Sequence, residues 1–298
     1  MLNTSVKDLA EKIRSKDVSA LELTQFYIDR IEKHNGLINA VIAERFDRAL
    51  SDARLADKMV RADASLGPLH GIPMTIKDAY EVTGLTCDVG HLPFKGRVST
   101  QDAVVVQRLR AAGAIILGKT NTPLLCADLQ TYNAIHGTTN NPHDLAHTPG
   151  GSSGGAAAAL ASGMTPLEFG SDIGGSIRTP AHFCGVFGHK STFGVIPQSG
   201  HVPPVHGART GSALNVVGPL ARTVTDLELA FNVTVGLDER VGSGLRLALP
   251  RCKIRSPRSL RVGLWLGDDY CPVDAELLRG IERAARVLES EGAIVEEA

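Results

Sequence analysis

The chain has 298 residues, with 31 basic and 32 acidic side chains and a formal net charge of −1. Because a nucleic-acid-binding protein needs a basic surface, this balance speaks against that class. A 43% hydrophobic share beside 21% charged residues is typical of a globular protein and too apolar for a disordered chain. Aromatic residues make up only 4%, so we expect an aliphatic, alanine-rich core.

The N-terminus and the cysteines predict a cytoplasmic location. The first residues contain no apolar signal segment, and no run reaches the roughly 18 apolar residues that a membrane span needs. The cysteines are scattered without CxxC spacing, which favours reduced thiols over a disulfide framework. They are Cys87, Cys126, Cys184, Cys252 and Cys271.

Predicted helices and strands alternate along most of the chain, which is typical of an α/β fold. Helices are predicted from the capping box of Ser19 and Glu22 onward and again over about 40–62. The elements predicted after these are strand 71–78, helix 103–112, strand 114–117, helix 155–162, strand 166–169, helix 176–183, strand 185–189, a loop over 198–211, helix 225–235, strand 260–266, helix 273–291 and the start of a strand at 293–295.

Three segments carry residues suited to catalysis. Lys77 ends an apolar strand, and the glycine-rich segments 150–155 and 170–180 each precede a predicted helix. A glycine-rich turn that enters a helix presents unpaired backbone N–H groups, which are the donors that a developing oxyanion needs. In the second segment these donors are expected beside the Ser176 hydroxyl, and they belong to Ile173, Gly174, Gly175 and Ser176.

Together the three segments resemble the amidase signature family. Ser152 and Ser176 are 24 residues apart, as in that family, and the resemblance extends over essentially the whole chain. It implies a three-layer α/β/α fold with a central mixed sheet and a Ser–cis-Ser–Lys triad. Carried over by position, Ser176 is the expected nucleophile, Ser152 the bridging serine after a cis peptide, and Lys77 the base.

The resemblance also assigns supporting residues. Ser153 matches a hydroxyl beside the triad, and Asp172 with Arg178 matches a charged pair that flanks the nucleophile loop. Lys77 can act as a base only when neutral, so burial must lower its pKa. Asp78 is next in sequence, but neighbours in a strand point to opposite faces, so it need not be the partner of Lys77.

The family's members are longer than this chain, and the sequence stops just after the predicted strand 293–295. We therefore expect a single amidase-signature domain that lacks C-terminal strands. It would comprise a helical segment over 1–65, a catalytic core over 66–235 and a truncated portion over 236–298.

The activity implied by the resemblance is hydrolysis of a carboxylic amide through a seryl acyl-enzyme, with no metal or organic cofactor. The expected partner is a small amide, with no nucleic acid and no membrane, and a homodimer is left open. Two alternatives stay open at this point. The chain could be a truncated, inactive relative, or a glutaminase resembling the amidotransferase subunit that supplies ammonia for misacylated tRNA.

Other motifs offer weaker interpretations. Residues 113–120 fit the Walker A pattern, but their middle is a predicted buried strand rather than a phosphate loop. Residues 150–154 fit the GxSxG elbow of α/β-hydrolases, which requires a preceding strand that is not predicted here.

A metal site and a cysteine nucleophile are the remaining alternatives. His143 and His147 have the spacing of zinc ligands on a helix, but the flanking prolines oppose a helix. Cys184 lies between two histidines in sequence and is interpreted as a small buried hydrophobe.

Overall fold

The computed structural model describes residues 1–203, 211–238, 244–250, 254 and 256–297. These residues form two compact units, 1–247 and 248–298. Cys252 and half of the predicted loop 198–211 lie outside the described residues.

Three of the described helices of the first unit begin at a capping side chain. Ser5 accepts a hydrogen bond from the backbone of Asp8, and Ser19 forms the predicted capping box with Glu22. The helices are α1 (Val6–Arg14), α2 (Ala20–Ile38), α3 (Phe46–Arg61), α4 (Val104–Ala111), α5 (Gly154–Ala161), α6 (Arg178–Cys184) and α7 (Val224–Thr234).

The strands of the first unit run in mixed directions. They are β1 (Val41–Glu44), β2 (Pro73–Lys77), β3 (Ile115–Thr120), β4 (Tyr132–Asn133), β5 (Gly137–Thr138), β6 (Leu167–Asp172), β7 (Phe187–Gly188) and β8 (Val216–Ala221). Strand β3 is parallel to β2 and antiparallel to β1, while β8 is antiparallel to both β6 and β7. This arrangement confirms the predicted α/β fold with a mixed sheet.

Strands β2 and β6 lie side by side in the interior. The Thr75 N–H donates to Thr165 Oγ1 at 3.0 Å, and the Tyr80 hydroxyl donates to the Gly170 carbonyl at 2.6 Å. All five residues of β2 and all six of β6 are buried, so these strands have no solvent-facing side. The carboxyl ends of the two strands therefore deliver their side chains into one buried region.

Four described strands were not predicted: β1, β8 and the short pair β4 and β5. The predicted helix 40–62 is wrong at its start, where residues 41–44 form β1 against β3 and the helix begins only at Phe46. Strand β8 lies where no element was predicted, because Gly218 and Pro219 are poor strand formers by local preference. In both places pairing with a distant strand outweighs local sequence preference.

The second unit contains a parallel pair of strands joined by a helix. Strand β9 (Arg261–Leu264) pairs in parallel with β10 (Ile294–Glu297), and α8 (Ala275–Ser290) connects them. Asp274 caps α8 by accepting a hydrogen bond from the Glu276 N–H. The predicted strand, helix and strand in this region are confirmed. Among the helices of the described ranges, none combines the length and apolar character required to traverse a bilayer.

Candidate active site

Lys77 lies at the end of β2, and its side chain is completely buried. Its Nζ atom lies within hydrogen-bond distance of three hydroxyl oxygens: 2.7 Å from Ser152, 3.0 Å from Ser153 and 3.0 Å from Ser171. A hydroxyl group can both accept and donate. These three neighbours can therefore satisfy either a charged ammonium or a neutral amine.

Burial lowers the pKa of Lys77 below its usual 10.5, and the nearby Cys126, Asp172 and Glu168 oppose that shift only in part. The adjacent carboxylate is directed elsewhere. Asp78 forms a buried ion pair with Lys119, with 3.0 Å between Oδ1 and Nζ. The expectation that Asp78 need not be the partner of Lys77 is thus confirmed, and burial shifts Lys77 towards its neutral form.

Ser152 and Ser153 are positioned by a tight turn at the start of α5. The peptide bond between Gly151 and Ser152 is cis, as the resemblance implied, and the Thr131 hydroxyl donates to the Gly150 carbonyl at 2.8 Å. Helix α5 packs directly on the backbone at the end of β3. A Cβ atom on Gly155 would stand 2.4 Å from the Asn121 nitrogen, so glycine is required for this close approach.

Ser176 reaches the same region from the loop between β6 and α6. The Ser153 N–H donates to the Ser176 carbonyl at 3.1 Å, which fixes the two loops to each other. Ser152 and Ser176 both line a cavity of about 290 Å³. No hydrogen bond joins their two hydroxyls within the part of the chain that the structure describes. The structure therefore brings Lys77, Ser152 and Ser153 into direct contact and places Ser176 in the cavity beside them.

The cavity has a mixed lining of small polar and apolar side chains. Its other lining residues are Leu125, Cys126, Ser171, Ile173, His201, Pro203, Ser212 and Asn215.

Asp172 organises the loop that carries Ser176. Its buried carboxylate accepts hydrogen bonds from the backbone N–H groups of Gly175 and Ile177 and from the Arg178 side chain, the last at 2.9 and 3.0 Å. Burial alone would raise the pKa of Asp172, but the bonds from Arg178 and the backbone outweigh it and lower the pKa to about 2. The pair of Asp172 and Arg178 predicted from the resemblance is thus present as an ion pair.

The backbone donors of this loop differ in one respect from the sequence prediction. The Gly175 N–H is bound to Asp172 Oδ1 at 2.8 Å and is therefore not free to hold an oxyanion. The N–H groups of Ile173, Gly174 and Ser176 form no hydrogen bond to any residue that the structure describes. Three of the four predicted donors are thus free.

The weaker interpretations find no support in the geometry. Lys119 of the Walker A match lies buried in β3 against Asp78, so residues 113–120 do not form an open phosphate loop. The turn that carries Ser152 follows an irregular stretch rather than a strand, and its partner is Lys77 rather than a histidine.

The two candidate zinc ligands have separate partners. His143 contacts the Cys184 carbonyl at 2.9 Å, whereas His147 contacts Asp144. In the described ranges, His, Cys, Asp and Glu side chains form no group of three or more suited to a metal ion. Burial raises the pKa of Cys184 to about 12, which fits an inert thiol better than a nucleophile.

Sequence reasoning missed two residues of this region. Ser171, the third hydroxyl at Lys77, belongs to a motif that was recognised, but its contact depends on which face of β6 meets β2. His201 lines the cavity from the predicted loop 198–211 and pairs with Tyr80 in an isolated antiparallel bridge. Its only sequence signal was the abundance of histidine in that loop.

Known proteins share this sequence and architecture. The chain is 42% identical over 234 residues to fatty-acid amide hydrolase 2-A of Danio rerio, a match that covers 76% of this chain and 44% of the relative. It is 36% identical over 296 residues to a subunit of the glutamyl-tRNA(Gln) amidotransferase of Carboxydothermus hydrogenoformans, with 98% of this chain and 60% of the relative covered.

Among solved structures, a bacterial aryl acylamidase of the amidase signature family aligns with a TM-score of 0.88 and 31% identity. That alignment covers 99% of this chain and 61% of the acylamidase. The chain thus spans about half to three fifths of the length of these relatives. The sequence profile of the family named Amidase matches residues 22–298. The protein is therefore a member of the amidase signature family and has its three-layer α/β/α fold.

Proposed function

We propose that the protein hydrolyses carboxylic amides through an acyl-enzyme formed on Ser176. The observation that carries this proposal is the environment of Lys77. Its amine is fully buried, lies 2.7 Å from the Ser152 hydroxyl and pairs with no carboxylate among the described residues. A lysine held in this way is suited to act as a neutral base.

In the first step the Ser176 oxygen attacks the amide carbon and forms a C–O bond. Its proton passes to Ser152 as the Ser152 proton passes to Lys77, which becomes an ammonium ion. This requires the Ser176 hydroxyl to turn towards Ser152, since catalytic hydrogen bonds often tighten only when substrate is bound. The developing oxyanion would be held by the free N–H groups of Ile173, Gly174 and Ser176.

In the second step the C–N bond breaks, and the proton returns from Lys77 through Ser152 to the leaving nitrogen. Amine or ammonia departs, and an ester on Ser176 remains. Water then attacks this ester by the same proton route and releases the carboxylic acid. Asp172 and Arg178 would not touch the substrate; they hold the loop that presents Ser176.

The experiment is labelling with a fluorophosphonate, which forms a stable adduct with an activated serine. We expect a single adduct on Ser176 in the wild type and none in Ser176→Ala. Ser152→Ala and Lys77→Ala should slow labelling by about a hundredfold or more, because each interrupts the proton route. Ser65→Ala serves as the matched control, since Ser65 is an exposed serine outside these three segments.

Two outcomes would contradict the proposal. An adduct on Ser152 rather than Ser176 would favour the GxSxG interpretation. A folded wild-type protein that neither reacts with the probe nor hydrolyses any of a panel of amides would favour the inactive alternative.

A second candidate is glutamine hydrolysis, favoured by the similarity to the glutamyl-tRNA(Gln) amidotransferase over 98% of this chain. In this case ammonia release from glutamine should depend on added partner subunits. Ammonia release from simple amides by the isolated chain would favour the first candidate. A cytoplasmic location, which the scattered cysteines predict, and self-association as a homodimer remain part of this proposal.

A further inference from the structure

His201 lines the cavity that contains Ser152 and Ser176. The residue is 5% exposed. Its Nε2 atom is buried and has no hydrogen-bond partner in the part of the chain that the structure covers. Buried polar atoms are nearly always paired, so an unpaired one on a residue that lines a cavity is a candidate for a hydrogen bond to a ligand.

The other ring nitrogen determines what Nε2 can do. Nδ1 lies 3.0 Å from the Pro203 carbonyl oxygen, which can only accept a hydrogen bond. Nδ1 must therefore carry the proton. Burial is the main cause that lowers the pKa of His201 to about 4, so the ring is neutral near pH 7. Nε2 then has a lone pair and acts only as an acceptor.

The ring is also held in place. Tyr80 packs against it edge to face, with 5.3 Å between the ring centroids. The Tyr80 hydroxyl is fixed in turn to the Gly170 carbonyl, just before Ser171 in β6. Because the packing and the bond to Pro203 fix the ring, the acceptor has a defined position relative to the serines.

The remaining polar groups of the cavity are less selective. The hydroxyls of Ser171 and Ser212 can donate or accept, so they tolerate either kind of substrate group. The Asn215 side-chain amide already donates to Gln198 at 3.1 Å. Among the described residues that line the cavity, His201 is thus the one with a buried, unpaired side-chain atom that can only accept.

We propose that His201 Nε2 selects amide substrates that carry an additional O–H or N–H donor, which it binds through a hydrogen bond. This inference rests on the proposed amide hydrolysis at Ser176, but its test measures substrate binding and does not require hydrolysis. A substrate with a methyl group in place of the donor would leave Nε2 unpaired and bind more weakly. One with an acceptor there would meet lone-pair repulsion.

The test measures binding, so it does not depend on turnover. Calorimetry is performed on Ser176→Ala protein with pairs of amides that differ only by hydroxyl and methyl. The pairs are lactamide with isobutyramide, and the three hydroxybenzamides with the corresponding methylbenzamides. We expect at least one pair to show a preference for the hydroxyl of about tenfold or more, as one hydrogen bond to a buried acceptor gives.

Substitution of His201 then assigns the preference. His201→Phe keeps an aromatic ring against Tyr80 but has no acceptor, and His201→Asn keeps a donor for the Pro203 carbonyl without reaching the Nε2 position. Both should reduce the preference to about one. His201→Gln, which can place an oxygen near Nε2, should restore part of it.

The outcomes separate the two proposals. If no pair shows a hydroxyl preference, or if the preference survives in both His201→Phe and His201→Asn, the inference about His201 is wrong. If these variants slow Ser176 labelling and weaken both members of a pair equally, His201 supports the site in general and selects nothing. If hydroxyl binding is preferred through His201 but wild-type protein hydrolyses none of the amides, only the proposed hydrolysis fails.

Discussion

Asp78 Oδ1 lies 3.0 Å from Lys119 Nζ, and both side chains are buried. Asp78 also accepts hydrogen bonds from the backbone N–H groups of Asp88 and Val89. The Lys119 ammonium and these two N–H groups therefore balance the charge of the Asp78 carboxylate, without any contribution from Lys77. The pKa of Lys77 is therefore lowered by burial, and its neighbour in sequence is not a cause of the shift.

Replacement of Lys119 by methionine should destabilise the protein. It would leave the Asp78 carboxylate buried without its cation, which typically costs about 3–5 kcal/mol of unfolding free energy. Urea denaturation measures the change. The double variant Asp78→Asn/Lys119→Met removes both charges and should recover much of the loss. A single variant as stable as the wild type would show that the pair is not compensating a buried charge.

The activity should rise with pH as Lys77 loses its proton. Because burial lowers the pKa of Lys77, the midpoint of this rise in kcat/KM is expected below 10.5. Lys190→Ala, which alters an exposed lysine, should leave the profile unchanged. A profile that is flat with pH, or that falls where this rise is expected, would contradict the role of Lys77 as a base.

Glu168 should make the protein less stable as the pH rises. Burial raises the pKa of this β6 carboxyl group to about 7, against 4.5 for the ordinary side chain. The folded protein then keeps a proton that the unfolded chain releases. The resulting stability is full below pH 4.5 and is lost as the pH rises towards 7.

The variant Glu168→Gln lacks this titration. Its melting temperature, compared with that of the wild type, should improve steadily from pH 4.5 to 7 and not beyond. Glu11→Gln, at an exposed position of α1, provides the comparison. A constant difference in melting temperature across this range would refute the assignment.

Asp172→Asn should loosen the loop that carries Ser176. An asparagine has one acceptor oxygen instead of two, and its NH₂ group would face the Arg178 guanidinium. We expect a loss of about 3 kcal/mol in unfolding free energy and slower fluorophosphonate labelling of Ser176. Arg178→Ala should cost less, because the Arg178 side chain is 54% exposed. Equal losses in the two variants would argue against this account.

Gly155→Ala should be strongly destabilising, since its Cβ atom would meet the Asn121 backbone at 2.4 Å. We expect a loss of about 1–3 kcal/mol or more from the forced backbone shift, measured by thermal denaturation. Gly36→Ala is the matched control in α2, where a Cβ atom has no neighbour within 4 Å. That change should stabilise by about 0.5–1 kcal/mol. If both variants behave alike, the close approach of α5 to β3 is not as described.

The sequence predicted the contacts of Lys77 with Ser152 and Ser153 because three motifs in a fixed order carry them. It could not predict Ser171 as the third contact. Every residue of β6 is buried, so no polar and apolar alternation indicates which face of the strand meets β2. It could not predict either that the Gly175 N–H is engaged, because this bond depends on how the Asp172 side chain is oriented.

Long-range pairing explains the other differences. Residues 41–44 continue a helical pattern locally, but they complete the edge of β3 as β1. His201 belongs to a loop by composition, and only its return to Tyr80 brings it to the cavity. Contacts between segments that are distant in sequence depend on how the core packs, so local sequence preference does not predict them.

Helix α5 is enclosed, with residues 154–160 all buried and almost all of them glycine or alanine. It touches β2, β3, β6 and β8 as well as α6. A helix that is packed on all sides cannot shift without disrupting the surrounding core. Ser152 and Ser153, which directly precede this helix, are therefore held by the core. We expect their backbone not to move when an amide substrate binds.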